Sequence, residues 1–205
     1  MKRMYSITFG LGLVLLLIAV PVMAQPQEVP LGTEMPSLDQ PLTRTDGTQQ
    51  ALSDITGETA TVIVFWSNQC PWVQKYQGRV ASLISEFSGE SVQFALVNSN
   101  DPSAFPQESL EASRQHASEQ NYQAPYFRDP GSALAEALGA SRTPQVFVFD
   151  STRTLVYTGT IDDSPATEER VTTPYLQNAL TALVNGEEIA VPQTKAFGCT
   201  IKYQQ

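Results

Sequence analysis

The stretch VIVFWSNQCPWVQKY, residues 62–76, carries a cysteine followed at once by proline, Cys70-Pro71, and the one other cysteine in the 205 residues is Cys199. A thiol of this kind attacks as its thiolate, and the two reactions open to it are disulfide exchange and peroxide reduction. A redox dithiol often has its second cysteine three positions after the first, but here that position is Val73. A mixed disulfide on Cys70 is then resolved by Cys199 or by an outside thiol, or else the two cysteines form a permanent staple. Three further features could serve the same chemistry. Thr143-Pro144 stands directly before a β-branched and aromatic run, Asp162-Asp163 follows another and offers a proton acceptor, and Trp72 beside Cys70 offers an apolar contact for substrate. His116 is the only histidine and no Cys/His cluster exists, so no metal site and no cofactor are expected, and His116 reads as a surface residue.

These residues need elements to hold them. Thr61–Trp66 is apolar without alternation, the pattern of a strand covered on both faces. Pro71 suits the first position of a helix, where its missing N–H leaves nothing unpaired. Tyr76, Val80, Leu83, Ile84 and Phe87 then form one apolar stripe, and Gly89 closes it. Cys70 thus falls at a helix N-terminus, where free N–H groups and the macrodipole favour a negative sulfur and lower a thiol below its ordinary value of about 8.5. Val92–Asn98 reads as a second buried strand and 106–120 as a polar helix. A short helix over Ser132–Leu138 stops at Gly139. Gln145–Phe149 and Leu155–Ile161 form a hairpin, and Pro174–Val184 is the last amphipathic helix, with Gly186 as its stop. Residues 25–53, rich in Pro, Thr, Gln, Asp and Gly, read as an extended lead-in with a turn at Asp46-Gly47. The order strand, helix, strand, helix, hairpin, helix is an α/β sandwich with a mixed sheet.

That order, with "FWSNQCPWVQKY", "RTPQVFVFD" and "YTGTIDD", resembles the thioredoxin-like superfamily in its redoxin and peroxiredoxin-related branch, and the ending "TKAFGCTIKY" resembles a group with a single Cys-Pro motif. The resemblance covers residues 30–186 and implies a thioredoxin-like fold, a mixed central sheet flanked by helices. It implies that the Thr143-Pro144 bond is cis and faces Cys70, that the backbone before it can pair with an extended peptide, and that Arg142 lies close enough to favour the thiolate. Peroxiredoxins place their attacking cysteine where this chain has Val73. Slid onto Cys70, their pattern P-x-x-x-T-x-x-C puts Ser67 at the Thr and Ile63 at the Pro. Disulfide exchange is therefore expected ahead of peroxidase activity, on protein thiols and disulfides or a small peroxide, with an external thiol reductant. The expected catalytic residues are Cys70 and Cys199, with Trp72, Thr143 and Pro144 facing substrate and Pro71, Ser67, Arg142, Asp162 and Asp163 in support.

Cys199 can reach the Cys70 rim. The last helix starts near that rim and runs about 16 Å away from it, and the twelve or so residues after it span up to about 40 Å. A Cys70–Cys199 disulfide would close a long loop, worth up to about 5 kcal/mol in the chain-entropy account. It could be a structural staple of a non-catalytic binding module as readily as a redox pair.

The start of the chain bears on compartment. Lys2 and Arg3 precede an apolar run from about Ile7 to Val20, and Val22-Met23-Ala24 offers small residues at the −3 and −1 positions of a cleavage site. The expected organisation is a signal peptide at 1–24, the lead-in at 25–53, the thioredoxin-like domain at 54–186 and a C-terminal tail at 187–205 carrying Cys199. Loss of Lys2 and Arg3 takes the formal charge from −9 to −11. So acidic a chain lacks the clustered cations that nucleic acids or anionic membranes require, and an oxidising periplasmic or extracellular setting permits its cysteines to pair. N-terminal sequencing of the protein from its producing cells should begin at Gln25; a chain that keeps residues 1–24 would refute the cleavage site.

Overall fold

The computed structural model describes residues 27–204; the leader expected at 1–24 lies outside them. A seven-stranded sheet runs in the order β2 (Gln49–Gln50), β1 (Leu42–Arg44), β5 (Tyr126–Arg128), β4 (Val92–Asn98), β3 (Ala60–Phe65), β7 (Gln145–Asp150), β8 (Leu155–Gly159). Its centre is β3 (Ala60–Phe65), all six residues buried. β3 lies parallel to β4 (Val92–Asn98) and antiparallel to β7 (Gln145–Asp150). The absence of alternation in β3 has a direct cause. Val62 and Val64 enter one apolar layer with Tyr76, Val80 and Leu83 of α1 (Pro71–Glu86) and Leu176 and Leu180 of α4 (Tyr175–Asn185). Ile63 and Phe65 enter the opposite layer, with Leu134 and Leu138 of α3 (Ala133–Leu138). A strand with helices on both faces has no side left for polar residues. β7 turns back into β8 (Leu155–Gly159) as the hairpin. The architecture is thus a mixed sheet between helices.

Three expectations need correcting. The lead-in is not merely extended: β1 (Leu42–Arg44) and β2 (Gln49–Gln50) form a hairpin around Asp46-Gly47, and β1 pairs with β5 (Tyr126–Arg128). These strands of two or three residues are too short to show a periodicity. The polar helix over 106–120 is two pieces, a 3-10 turn at Pro106–Glu108 and α2 (Leu110–Glu119), with Ser109 as the N-cap accepting from the Ala112 N–H. The break turns Glu108 inward, where it is 4% exposed. His116 is half-buried, edge-on to Tyr122 with ring centres 5.7 Å apart, not a free surface residue.

Beneath the end of the hairpin, Arg79 of α1 places a guanidinium nitrogen 2.5 Å from the Asp162 carboxylate, with side chains 8% and 4% exposed. The Tyr76 hydroxyl donates to the other carboxylate oxygen at 3.1 Å, and the Ser164 carbonyl accepts from Arg79 at 2.9 Å. This ties α1 to the chain leaving β8. Removing one partner strands a buried charge, which costs about 3–5 kcal/mol. Arg79→Ala should lower the unfolding free energy by that amount in urea titration, whereas an exposed ion pair such as Arg114–Glu111 should cost no more than about 1 kcal/mol.

Candidate functional site

Cys70 is the N-cap of α1, with φ −76° and ψ 118°, and Pro71 is the first helical residue. The loop from β3 to Cys70 is held by a polar hub. The Ser67 hydroxyl accepts from the Cys70 N–H at 3.1 Å and the Gln69 N–H at 3.2 Å, and donates to Glu108 at 2.6 Å. The Glu108 carboxylate also accepts from the Asn68 N–H at 2.9 Å and the Asn98 amide at 2.7 Å. A buried carboxylate supplied with this many donors is a firm anchor, because charge-assisted hydrogen bonds are strong and each donor would otherwise be stranded. Sequence reasoning missed Glu108. It stands in a polar run, and only the break before Ser109 turns it inward.

Across from Cys70, the Thr143-Pro144 bond is cis. The buried Cys70 thiol donates to the Thr143 carbonyl at 3.1 Å. Thr143 is also the point where the C-terminal tail docks. β6 (Arg142–Thr143) pairs antiparallel with β9 (Cys199–Thr200), placing Thr143 opposite Cys199 and Arg142 opposite Thr200. The tail crosses the site at Gly198, whose φ is +145° and where an added Cβ would lie 2.1 Å from the Thr143 oxygen. Phe197 lies edge-on against Trp72 with ring centres 4.8 Å apart. Past Cys199, Ile201 is buried and its N–H donates to the Ser141 carbonyl at 3.0 Å.

Cys70 and Cys199 are both free thiols, and they sense one another. Cys199 is pushed up to about 11, first by burial, then by its hydrogen bond to Cys70 and repulsion from a Cys70 thiolate; the Trp72 N–H and Lys202 act in the opposite sense. Cys199 therefore holds its proton at neutral pH, beside the Cys70 sulfur.

The other expected residues fall in two groups. Pro71, Ser67, Thr143 and Pro144 surround Cys70 as described. Trp72 is covered by Phe197 of the chain's own tail. The Arg142 guanidinium donates to the Thr200 hydroxyl at 2.6 Å and clamps the tail. The cation beside the thiols is Lys202, which lines a cavity of about 210 Å³ with Gln69, Asn100, Phe105, Glu108 and both cysteines. Asp162 is committed to Arg79 and Tyr76. Asp163 is exposed and held to about 2, mainly by the Thr172 hydroxyl, so it pins a loop. Neither carboxylate is a free proton acceptor for Cys70. Among the described residues, no group of three His, Cys, Asp or Glu side chains is placed to hold a metal ion.

The family described as Redoxin matches residues 30–175. An uncharacterized conserved protein from Geobacillus kaustophilus is similar at 35% identity over 85% of this chain and 93% of its own, with a TM-score of 0.79. A hypothetical protein from Sinorhizobium meliloti is similar at 31% identity over 87% and 97%, also at 0.79. A putative protein disulfide isomerase from Bacteroides thetaiotaomicron shares the fold at 16% identity over 80% and 95%, with a TM-score of 0.60. No curated protein matches.

The Cys199 titration is open to test. Because part of its upward shift comes from Cys70, Cys70→Ala should move the midpoint of Cys199 alkylation with pH downward from about 11, while burial still holds it above the ordinary thiol value. An unchanged midpoint would mean that the two sulfurs do not interact.

Proposed function

This chain belongs to the Redoxin family, and on that footing we propose that it is an exported thiol–disulfide oxidoreductase in which Cys70 is the nucleophile and Cys199 its redox partner. The observation that carries the reading is the mutual placement of two free thiols at the Thr143-Pro144 wall, one at a helix N-terminus and the other kept protonated beside it. The Cys70 thiolate attacks one sulfur of a substrate disulfide and the other sulfur leaves as a thiolate. Cys199 then attacks the Cys70 sulfur, loses its proton and releases the second half of the substrate. The Cys70–Cys199 disulfide that remains is opened by an external thiol reductant. The helix N-terminus favours the anionic Cys70 sulfur that makes the first attack. Export, to a periplasmic or extracellular space, is supported by the basic and apolar start of the sequence and its Val22-Met23-Ala24 cleavage motif.

Mass spectrometry with thiol trapping tests this reading. Cys70→Ser should abolish disulfide reduction with the fold retained, and Cys199→Ser should accumulate a mixed disulfide on Cys70 that only added thiol removes. A Cys70–Cys199 bond that forms once and resists strong dithiols would instead identify a structural staple in a binding module.

A further inference from the structure

The backbone edge next to Cys70 is occupied by the chain itself. Among the described residues, β6 has one partner strand, the tail strand β9. The Arg142 N–H is taken by the Gln145 side chain, but without β9 the backbone of Thr143 would be an open edge beside the thiol, the kind that takes up an extended polypeptide by adding it as a strand. The tail is seated too firmly to be a casual occupant. Before the site, the Thr194 hydroxyl accepts from the Thr160 N–H at 2.9 Å. After it, the Lys202 N–H donates to the Asn100 side chain at 2.9 Å, and the Lys202 carbonyl accepts from the Asp101 N–H at 2.7 Å. Ile201 is buried between these anchors.

What is left open is the small cavity that reaches both sulfurs. At about 210 Å³ it lies below the range of about 300–1,000 Å³ for drug-sized ligands. Its rim includes the exposed Gln69 and the 40%-exposed Phe105. The hydroxyl nearest the Cys70 amide, that of Ser67, spends its only proton on Glu108, and Arg142 is bound to Thr200. The Ser67 hydroxyl is therefore not free to donate to the departing oxygen of a peroxide, whereas a departing thiolate has less need of such a donor.

We infer that the tail strand is the specificity element of this site: it closes the Cys70–Cys199 pair to disulfides held in polypeptides and leaves it open to low-molecular-weight disulfides, and Gly198 is the residue that lets the strand lie there. The inference rests on the thiol–disulfide reading above. Its chemistry balances within one turnover. A small disulfide RSSR takes two electrons from the two protein thiols, the S–S bond of RSSR breaks, the Cys70–Cys199 bond forms, and the two thiol protons leave with two RSH. A side chain at 198 would meet the Thr143 oxygen, so substitution there must lift the strand from β6.

The test uses the reduced full chain in single turnover against bis(2-hydroxyethyl) disulfide, insulin and hydrogen peroxide, following the first thiol released or, for peroxide, the loss of free protein thiol. The intact protein should attack the small disulfide at least about tenfold faster than insulin or peroxide. Gly198→Val, and Arg142→Ala as a second route to a loosened tail, should raise the rate with insulin by about tenfold or more, with folding checked by circular dichroism. Equal rates with small and protein disulfides in the intact chain, or continued exclusion of insulin in a folded variant with a freed tail, would overturn the inference while leaving the oxidoreductase standing. A peroxide rate at or above that of the small disulfide would overturn the substrate class. Reaction with none of the three would sink the oxidoreductase reading itself.

Discussion

The peptide unit at Thr143 is where the parts of this molecule meet. Its carbonyl receives the Cys70 thiol, its strand pairs with the one that carries Cys199, and the bond that follows it is the cis bond to Pro144. The carbonyl also faces Gly198 so closely that only a residue without a side chain passes. Two sulfurs 129 positions apart in sequence are thus brought to one backbone group. Sheet pairing does what local spacing does in an ordinary dithiol motif. A ladder fixes register to the residue, so the tail cannot slip without carrying Cys199 out of place.

The opposite side of Cys70 is fixed by a different physics. Glu108 is a buried carboxylate that gathers donors from β4, from the loop before α1 and from Ser67. Taking such a charge out of water is unfavourable unless its lone pairs are met, and here they are. The same bonds hold the Cys70 N–H on Ser67 and so set the direction in which α1 departs. The Tyr126 hydroxyl extends the network by donating to Asn68 at 2.7 Å, linking it to the short strand β5. The nucleophile is therefore held from below by a satisfied polar cluster and from across by a backbone edge.

Packing explains why the partner sulfur comes from so far away. Val73 is fully buried in the layer between the sheet and α1, among the apolar residues that seat the helix. The face of α1 one turn after Cys70 is used for core, and the helix end is capped by the tail through the contact of Phe197 with Trp72. Gly159 has the same role for the tail that Gly198 has, since an added Cβ would lie 2.0 Å from the Thr194 hydroxyl. Two glycines without room for a side chain, one at the end of β8 and one beside Thr143, set the tail's course over the rim.

Much of this was legible in the residues alone, and for definable reasons. The unbroken apolar run of β3, the 3- and 4-residue stripe of α1 and the stops at Gly139 and Gly186 are local signals, since burial on both faces, helical periodicity and left-handed caps each write themselves into neighbouring positions. So is Cys70 before a helix-starting proline. Glu108 was illegible because an inward turn after a 3-10 break leaves no mark on a polar sequence, and the bond from Arg142 to Thr200 was illegible because the two are 58 positions apart. Reach alone allowed Cys199 to arrive at Cys70 but left open whether it did. Local pattern was enough for an α/β chain with one thiol at a helix start and a tail long enough to return. That the tail returns as a strand on Thr143 emerged only with the folded chain, because that pairing is a contact between residues whose proximity no local pattern encodes.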